Sequence, residues 1–312
     1  MSPPPLFSVV VSTRNQAPTL AATIEAVLAQ EVEGGFELIV VNNASTDDTA
    51  VVLRGLQERY PDGLLCLGSE VDRGPAGGRN LGLERARGSL FAFTDSDCVP
   101  RPGWLEALRA AFDDPRVGIV QGRTTAPPGP VPLFSHHIET LGLDGSFSTS
   151  NVAYRTEALG SKRFDPECPY WEDVDLGWRV AGEGWEARFA PEALVWHQLI
   201  PLSARAWLLW PRRFSNWPAK AARYPGFRRH LYLGFWVSPI HLYFDLALLG
   251  LLLAFLNPAA LLLLVPYLVE FARTRSLRGR FPPAKALAHL AWDAVAFAAL
   301  VAGSVRYRAL VL

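Results

Sequence analysis

Two aspartates one residue apart, Asp95 and Asp97, close the apolar run Phe91-Ala-Phe-Thr94. Side chains at i and i+2 of an extended backbone point to the same side. Two hard oxygen ligands so placed can meet one Mg²⁺ or Mn²⁺ ion and leave coordination positions open for other oxygens. Asp-x-Asp also occurs in turns and helix caps; its position at the carboxyl end of a strand is what favours a metal. A second acidic cluster, Glu172-Asp173-Val174-Asp175, opens an amphipathic stretch that continues to Ala181. Carboxylates suit a helix N-terminus through capping and the helix dipole, and one so placed can also take a proton from a hydroxyl as general base. Asp175 and Arg179, at i and i+4, suit a structural ion pair. A third segment, Asp72 to Asn80, is a Gly-rich turn opening a helix, where backbone amides and an arginine can approach phosphate. It matches neither the GxGxxG nor the Walker spacing.

The elements that must position these groups follow from periodicity. Leu6 to Ser12 and Phe36 to Val41 are β-branched apolar runs, and Pro18 to Gln30 between them has helical spacing at Leu20, Ile24, Val27 and Leu28. Thr46 or Asp47 can cap a helix reaching Tyr60; Leu64 to Leu67 and Leu90 to Thr94 are predicted strands, with a short helix over Asn80 to Ala86. Val117 to Gly122 is another predicted strand, and Asp173 to Ala181 a helix. Such alternation predicts a mostly parallel sheet with helices on both faces and ligands beyond the carboxyl ends of the strands. The polar clusters fall at those ends.

Charge divides the chain. Residues 1–200 hold 16 of the 30 Lys and Arg but 27 of the 30 Asp and Glu, leaving 14 basic and 3 acidic residues to 201–312. An acidic front and a basic back imply different surroundings. Long Leu-rich runs in the basic part favour a bilayer over nucleic acid as its partner. Cys66, Cys98 and Cys168 are too few and too scattered for a disulfide framework or a CxxC metal site. The start, Met-Ser-Pro-Pro-Pro-Leu-Phe, has no basic n-region or long apolar run, so no cleaved signal peptide is expected.

From Leu231 onward three apolar segments follow: Leu231 to Leu256, Ala259 to Ala272 and Ala284 to Val305, the last interrupted by His289 and Asp293. The first is long enough to cross about 30 Å of hydrocarbon, and Asn257-Pro258 suits the turn of a helical hairpin. Arg212, Arg213, Arg223, Arg228 and Arg229 precede it, and Arg273, Arg275, Arg278 and Arg280 follow the second segment. Under the positive-inside rule both ends of that hairpin lie in the cytoplasm. Two alternatives are helices lying in the interface, suggested by Trp207, Trp210 and Trp217, and a soluble helical subdomain with an apolar core. Asp245 and Asp293 are expected to face another helix or the interface.

Taken in order, Val9-Val-Val-Ser-Thr13-Arg-Asn15, Ile39-Val-Val-Asn-Asn-Ala-Ser-Thr-Asp47, Arg73-Gly74 with Arg79-Asn80, Asp95-Ser-Asp97 and Glu172-Asp173 resemble glycosyltransferase family 2 over residues 6 to 200. The resemblance implies a GT-A fold (α/β, Rossmann-like, with a mostly parallel central sheet), an inverting single displacement, and a divalent metal, Mn²⁺ or Mg²⁺, bound with a nucleotide-diphosphate sugar. It implies that Ser12, Thr13, Asn42, Asn43 and Arg79 line the donor nucleotide pocket and that Asp95 contacts ribose or sugar. Asp97 would ligate the metal, with Asp95 and His197 beside it. Asp173 would be the base, with Glu172 its competitor; Ser150, Asn151 and Trp171 would lie near the donor sugar and acceptor. Many members carry Asp where this chain has Asn42, whose amide oxygen still accepts a hydrogen bond; the donor base stays open.

The resulting expectation is a catalytic domain over 1–205, a basic amphipathic linker over 206–230 and a membrane-associated or transmembrane helical region over 231–312. The catalytic domain would face the cytoplasm at the cell's inner membrane and glycosylate a lipid-linked or envelope-glycan acceptor. A catalytically inactive family member serving as a membrane-bound assembly subunit is the alternative, and a nucleotidyltransferase a third.

Overall fold

A computed structural model describes residues 3–168, 171–274 and 283–312. The chain divides into two compact units, Met1–Val131 with His136–Ile200, and Pro132–Ser135 with Pro201–Leu312.

The first unit is built on an eight-stranded sheet of β1 (Phe7–Thr13), β2 (Phe36–Asn43), β3 (Leu64–Ser69), β4 (Leu90–Phe93), β5 (Cys98–Pro100), β6 (Val117–Thr125), β7 (Val152–Arg155) and β8 (Glu186–His197), in the order β3-β2-β1-β4-β7-β6-β8-β5. The strands β3, β2, β1 and β4 are parallel, as expected. The continuous apolar runs of β1, β2 and β4 are buried, which suits strands covered on both faces, while β3 at the sheet edge is half open. Beyond β4 the pairing is mixed rather than mostly parallel. Strand β7 runs antiparallel to both β4 and β6, β8 is parallel to β6, and β5 is antiparallel to β8. Strand β7 starts at the end of the sheet where β6 stops, so it runs back antiparallel without the crossover a parallel neighbour would need.

Helices α1 (Ala17–Leu28), α2 (Thr49–Arg59), α3 (Gly74–Leu83), α4 (Trp104–Ala111), α5 (Thr156–Leu159) and α6 (Glu172–Ala181) connect or cover these strands. Asp47 stitches two of them: one carboxylate oxygen accepts from Ala17 N at 3.2 Å, the other from Thr49 N at 3.0 Å. Helix α3 starts at Gly74, six residues before the predicted Asn80. Glycine's poor helix propensity hides this start in the sequence, but contact demands it. A Cβ at Gly82 would lie 2.4 Å from Val10 Cγ1, and one at Gly78 2.2 Å from Ser12 Oγ. These glycines therefore serve close approach of α3 to β1.

The second unit contains α7 (Ala204–Leu209), α8 (Trp217–Arg223), α9 (Pro239–Leu253), α10 (Val265–Thr274) and α11 (Pro283–Tyr307). The predicted single span from Leu231 to Leu256 is not one helix. Leu233 and Gly234 take positive φ in a turn closed by Trp236 N to Tyr232 O at 3.0 Å, and Pro239 then starts α9. The second segment divides into a 3₁₀ stretch, Pro258–Leu264, and α10. Among the described residues α11 is the one helix long and apolar enough to cross a membrane. Its buried stripe of His289, Asp293, Ala296, Ala299, Leu300 and Gly303 packs inside the unit. A Cβ at Gly303 would fall 2.3 Å from the Ser215 carbonyl oxygen. Asp293 accepts from Tyr267 Oη at 2.9 Å, and Asp245 accepts from Trp236 Nε1 at 2.8 Å, so each intramembrane candidate acid has a partner. Arg275, Arg278 and Arg280 lie outside the described residues.

Candidate active site

The β4 end and the α6 start, far apart in sequence, meet at Arg79 on α3. Its Nη2 donates to Asp95 Oδ1 at 2.9 Å and its Nη1 to Glu172 Oε1 at 2.7 Å. All three side chains are largely buried. Burial alone would lower the Arg79 pKa, but the charges of Asp95, Glu172 and Asp173 outweigh it and hold the guanidinium above its ordinary value. Arginine's rigid fork suits this double grip. Glu172 is thus committed to Arg79. Asp173, half-buried in the first turn of α6, accepts from Val174 N at 2.8 Å, and its charge is felt by Arg79 and by the buried Tyr154.

Asp97 and His197 come together because β5 and β8 pair with Cys98 opposite His197. Asp97 Oδ1 lies 3.8 Å from His197 Nε2, and the ligand atoms of Asp97, Cys98 and His197 all lie within 4.8 Å of one another. His197 Nδ1 sits 2.8 Å from the Gln198 carbonyl, which can only accept, so Nδ1 donates there and Nε2 is the ring nitrogen that faces Asp97. Burial raises the Asp97 pKa; His197 pulls it down and Asp95 pushes it up. Burial, then Asp95 and Asp97, pushes the Cys98 thiol well above its ordinary value, so it stays protonated and contributes no thiolate. One carboxylate and one imidazole converging on one point are a donor set that fits Mn²⁺, and Mg²⁺ less well. Asp95 lies alongside, but its Oδ1 is held by Arg79 and approached by Thr149 Oγ1 at 3.4 Å.

The ends of β1 and β2 bring the predicted nucleotide residues together, since Ser12 pairs with Val41 and Thr13 with Asn42. Thr13 Oγ1 is buried and has no hydrogen-bond partner among the described residues. Asn42 Oδ1 accepts from Ser45 N at 3.2 Å. Asn43 spends its side chain on the following loop: Nδ2 donates to Asp72 and to Gly74 O, while Oδ1 accepts from Arg73 N at 3.0 Å. The Gly-rich segment is therefore fastened by Asn43 and packed through its glycines. Asn80 holds the other side by exchanging two hydrogen bonds with the Phe164 backbone, at 2.8 and 2.9 Å.

Ser150 and Asn151 lie beneath the site rather than on its surface. Both are fully buried. Asn151 donates to Arg123 O and Ala193 O at 2.9 and 2.7 Å and accepts from Trp104 Nε1 at 2.8 Å, which uses both amide hydrogens and the oxygen. Ser150 accepts from Thr94 Oγ1 through its carbonyl at 3.0 Å. Their neighbour Thr149 is the residue that reaches Asp95. Trp171, half-buried, sits at the N-cap of α6. Sequence reasoning missed Thr149 and the edge-to-face contact of His136 with His197, whose ring centroids lie 5.7 Å apart. Both depend on the loop from Ala126 to Asn151, whose path has no periodic signal.

The pattern described as "Glycosyl transferase family 2" matches residues 8–166, and that described as "Glycosyl transferase family group 2" matches residues 90–272. Glycosyltransferase AglE of Haloferax volcanii is 32% identical over 119 residues, 38% of this chain and 39% of that protein. An Escherichia coli protein, UDP-Glc:alpha-D-GlcNAc-diphosphoundecaprenol beta-1,3-glucosyltransferase WfaP, is 33% identical over 92 residues, 30% of this chain and 35% of that one. The chain thus spans well under half the length of these curated relatives. The mannosyltransferase PcManGT from Pyrobaculum calidifontis, solved with GDP-Man and Mn²⁺, matches with a TM-score of 0.63 at 23% identity, covering 98% of this chain and 88% of that one. A likeness at that identity establishes the fold, which is the GT-A fold expected from the sequence.

Proposed function

Because this chain belongs to glycosyl transferase family 2, we propose that it is a metal-dependent, inverting, membrane-attached glycosyltransferase that uses a nucleotide-diphosphate sugar. The observation that carries the proposal is the double grip of Arg79 on Asp95 and Glu172, with Asp97 and His197 converging next to Asp95. Both acidic segments, far apart in sequence, serve one site.

Asp97 and His197 would hold the ion. When bound, it supplies charge neutralisation for the leaving diphosphate. Asp173 accepts the proton of the acceptor hydroxyl as that oxygen forms its bond to the anomeric carbon. The bond from that carbon to the phosphate oxygen breaks, and the nucleoside diphosphate leaves with the electron pair. Arg79 keeps Glu172 and Asp95 in place while the base works, and it fixes the distance between the base and the ion site. The buried hydroxyl of Thr13, beside Asn42 and without a hydrogen-bond partner among the described residues, supports a donor nucleotide lying over the ends of β1 and β2.

Attachment to the membrane through 231–312, with the catalytic unit on the cytoplasmic side, is supported by the length and apolarity of α11 and by the excess of basic over acidic residues after residue 200. A bilayer anchor concentrates an enzyme beside lipid substrates, so a lipid-linked or envelope glycan is the acceptor class proposed. WfaP, by its name, acts on a diphosphoundecaprenol-linked sugar. The test is a panel of nucleotide-sugars incubated with purified protein, with and without Mn²⁺ or Mg²⁺. Metal-dependent release of nucleoside diphosphate is expected. Release of pyrophosphate would instead make it a nucleotidyltransferase, and tight donor binding without turnover would make it an inactive assembly subunit.

A further inference from the structure

We infer that the helical hairpin Pro239–Thr274 is a wedge that enters one leaflet of an anionic bilayer without crossing it. The inference rests on the membrane attachment proposed above and concerns how that attachment is made. Between Asp245 and Glu270 no residue is charged. The tip is bare: Phe255 is 91% exposed and Leu256 85%. On the arms Leu252 and Leu262 are 67% and 72% exposed, with Leu248, Leu249, Leu251, Leu268 and Val269 also open. The buried residues of α9 are only Phe244, Ala247 and Gly250, a narrow stripe spaced by three. Successive residues turn by about 100°, so the exposed leucines cover most of the remaining circumference. A protein-docking helix shows an apolar stripe, whereas a helix apolar around its outer surface suits hydrocarbon.

The arms are fixed to each other. A Cβ at Gly250 would come 2.7 Å from Ala260 O and 2.9 Å from Leu263 Cβ, the close approach that small residues allow between helices in lipid. Asn257 closes the tip by accepting from Ala259 N at 3.0 Å through its side chain, so the turn carries its own cap. Depth follows from length. The uncharged part of α9, Leu246 to Leu253, rises about 12 Å at about 1.5 Å per residue, less than half of the roughly 30 Å hydrocarbon core. At the base stand Tyr243, Asp245, Glu270 and Arg273, with Trp236 hydrogen-bonded to Asp245, a set suited to the headgroup level.

Charge selects the lipid. Residues 201–312 carry 14 basic and 3 acidic side chains. All three acids are engaged, Asp245 by Trp236, Glu270 by Arg273 and Asp293 by Tyr267. The surplus is cationic, and each basic group near an anionic surface adds to the attraction.

The experiment is flotation of the full chain with vesicles of phosphatidylcholine alone or with added phosphatidylglycerol. The parent chain is expected to float with the anionic vesicles. Phe255→Asp with Leu256→Asp should cut the bound fraction at least about tenfold with the melting temperature unchanged, since both side chains lie open and charge at hydrocarbon depth is costly. Depth is read from a nitrobenzoxadiazole label on Leu256→Cys in a Cys66→Ser background. Nitroxide lipids should quench it, and dithionite trapped inside the vesicles should not bleach it. Bleaching from inside means the hairpin spans, and the one-leaflet wedge is wrong. Flotation of the double Asp variant equal to the parent removes the hairpin as the anchor while membrane attachment stands. A parent chain that never floats removes both. Loss of self-association in the Asp variant with unchanged flotation assigns the face to a second copy and overturns the inference.

Discussion

Asp95 and Glu172, carried by different elements, are hydrogen-bonded to two nitrogens of a single guanidinium, that of Arg79. Replacing Arg79 by Met would leave two buried carboxylates facing each other without their cation. Breaking a buried pair from one side costs about 3 to 5 kcal/mol, so the variant should lose about that much stability in chemical denaturation and most of its turnover. Arg79→Lys restores the charge but not the fork and should recover stability better than rate. If Arg79→Met unfolds at the parent's denaturant midpoint, the bridge is not what holds the site.

Asp97 faces His197 in a buried setting. Burial raises its pKa, so ionising it in the folded chain is unfavourable. A carboxyl whose folded pKa lies above its unfolded value stabilises the fold below the unfolded value, and that stabilisation is lost as pH rises through the folded one. In chelator, Asp97→Asn should therefore melt higher than the parent at pH 7, the difference closing below about pH 4, where the free carboxyl is protonated. Adding Mn²⁺ should raise the melting temperature of the parent and not of the variant, and metal-dependent turnover should vanish. An equal Mn²⁺-induced rise in both proteins would place the ion elsewhere.

The chemistry at the site was more legible than its assembly. Asp95, Asp97 and Glu172-Asp173 declare themselves because each cluster is local in sequence and sits where an apolar run ends or a helix begins. What unites them is not local. Arg79 was expected beside the nucleotide, and its two carboxylate partners follow only from packing α3 on β1 through Gly78 and Gly82. His197 reaches Asp97 through the antiparallel register of β5 and β8, and the three-residue β5 is too short for any periodicity to announce that pairing. The parallel half of the sheet followed from its apolar runs, while the four-residue β7 was too short to signal its reversal. Leu231 to Leu256 looked like one span by hydropathy alone, which cannot see the turn at Leu233 and Gly234.

With Glu172 committed to Arg79, Asp173 is the carboxylate proposed to take the acceptor proton. Loss of a general base costs roughly a hundredfold or more in rate. Asp173→Asn should lower kcat by at least that factor and leave the KM for donor within about threefold, as expected when only a transition-state interaction is removed. Glu172→Gln should instead lower stability and rate together, because it weakens the grip of Arg79. A normal kcat in Asp173→Asn, with the loss appearing in Glu172→Gln alone, would move the base to Glu172.

Asn151 offers a different kind of test, since its amide is consumed by Trp104, Arg123 and Ala193 inside the unit. Asn151→Ala orphans one indole N–H and two carbonyls, each unsatisfied buried group costing about 1 to 3 kcal/mol. The expected outcome is a loss of about 3 kcal/mol or more, with the residual folded fraction still binding donor normally. Donor affinity falling while stability holds would return Asn151 to the sugar-binding surface.

Glu37 gives a pH dependence away from the active site. Its Oε1 accepts from Ser8 Oγ at 2.6 Å and from Arg87 N at 2.7 Å, and its Oε2 accepts from the Arg87 guanidinium at 2.8 and 2.9 Å. Burial raises the Glu37 pKa, but the hydrogen bonds from Ser8 and Arg87 together outweigh it and leave the carboxyl below its ordinary value. A depressed folded pKa contributes stability above the unfolded value, about 4.3 for glutamate, and loses it as pH falls through the folded one. Ser8 also receives Arg87 N and Gly88 N at 3.0 and 2.8 Å, so the carboxylate anchors the turn that feeds β4 and hence the Asp95 segment. Glu37→Gln keeps the shape and removes the charge. Because Arg87 is exposed and screened, the loss at pH 7 should be about 1 kcal/mol. Urea titrations of parent and variant from pH 7 down to about pH 3 should show the two stability curves converging below the unfolded value. Curves that stay parallel across that range would mean the Glu37 charge adds nothing to the fold.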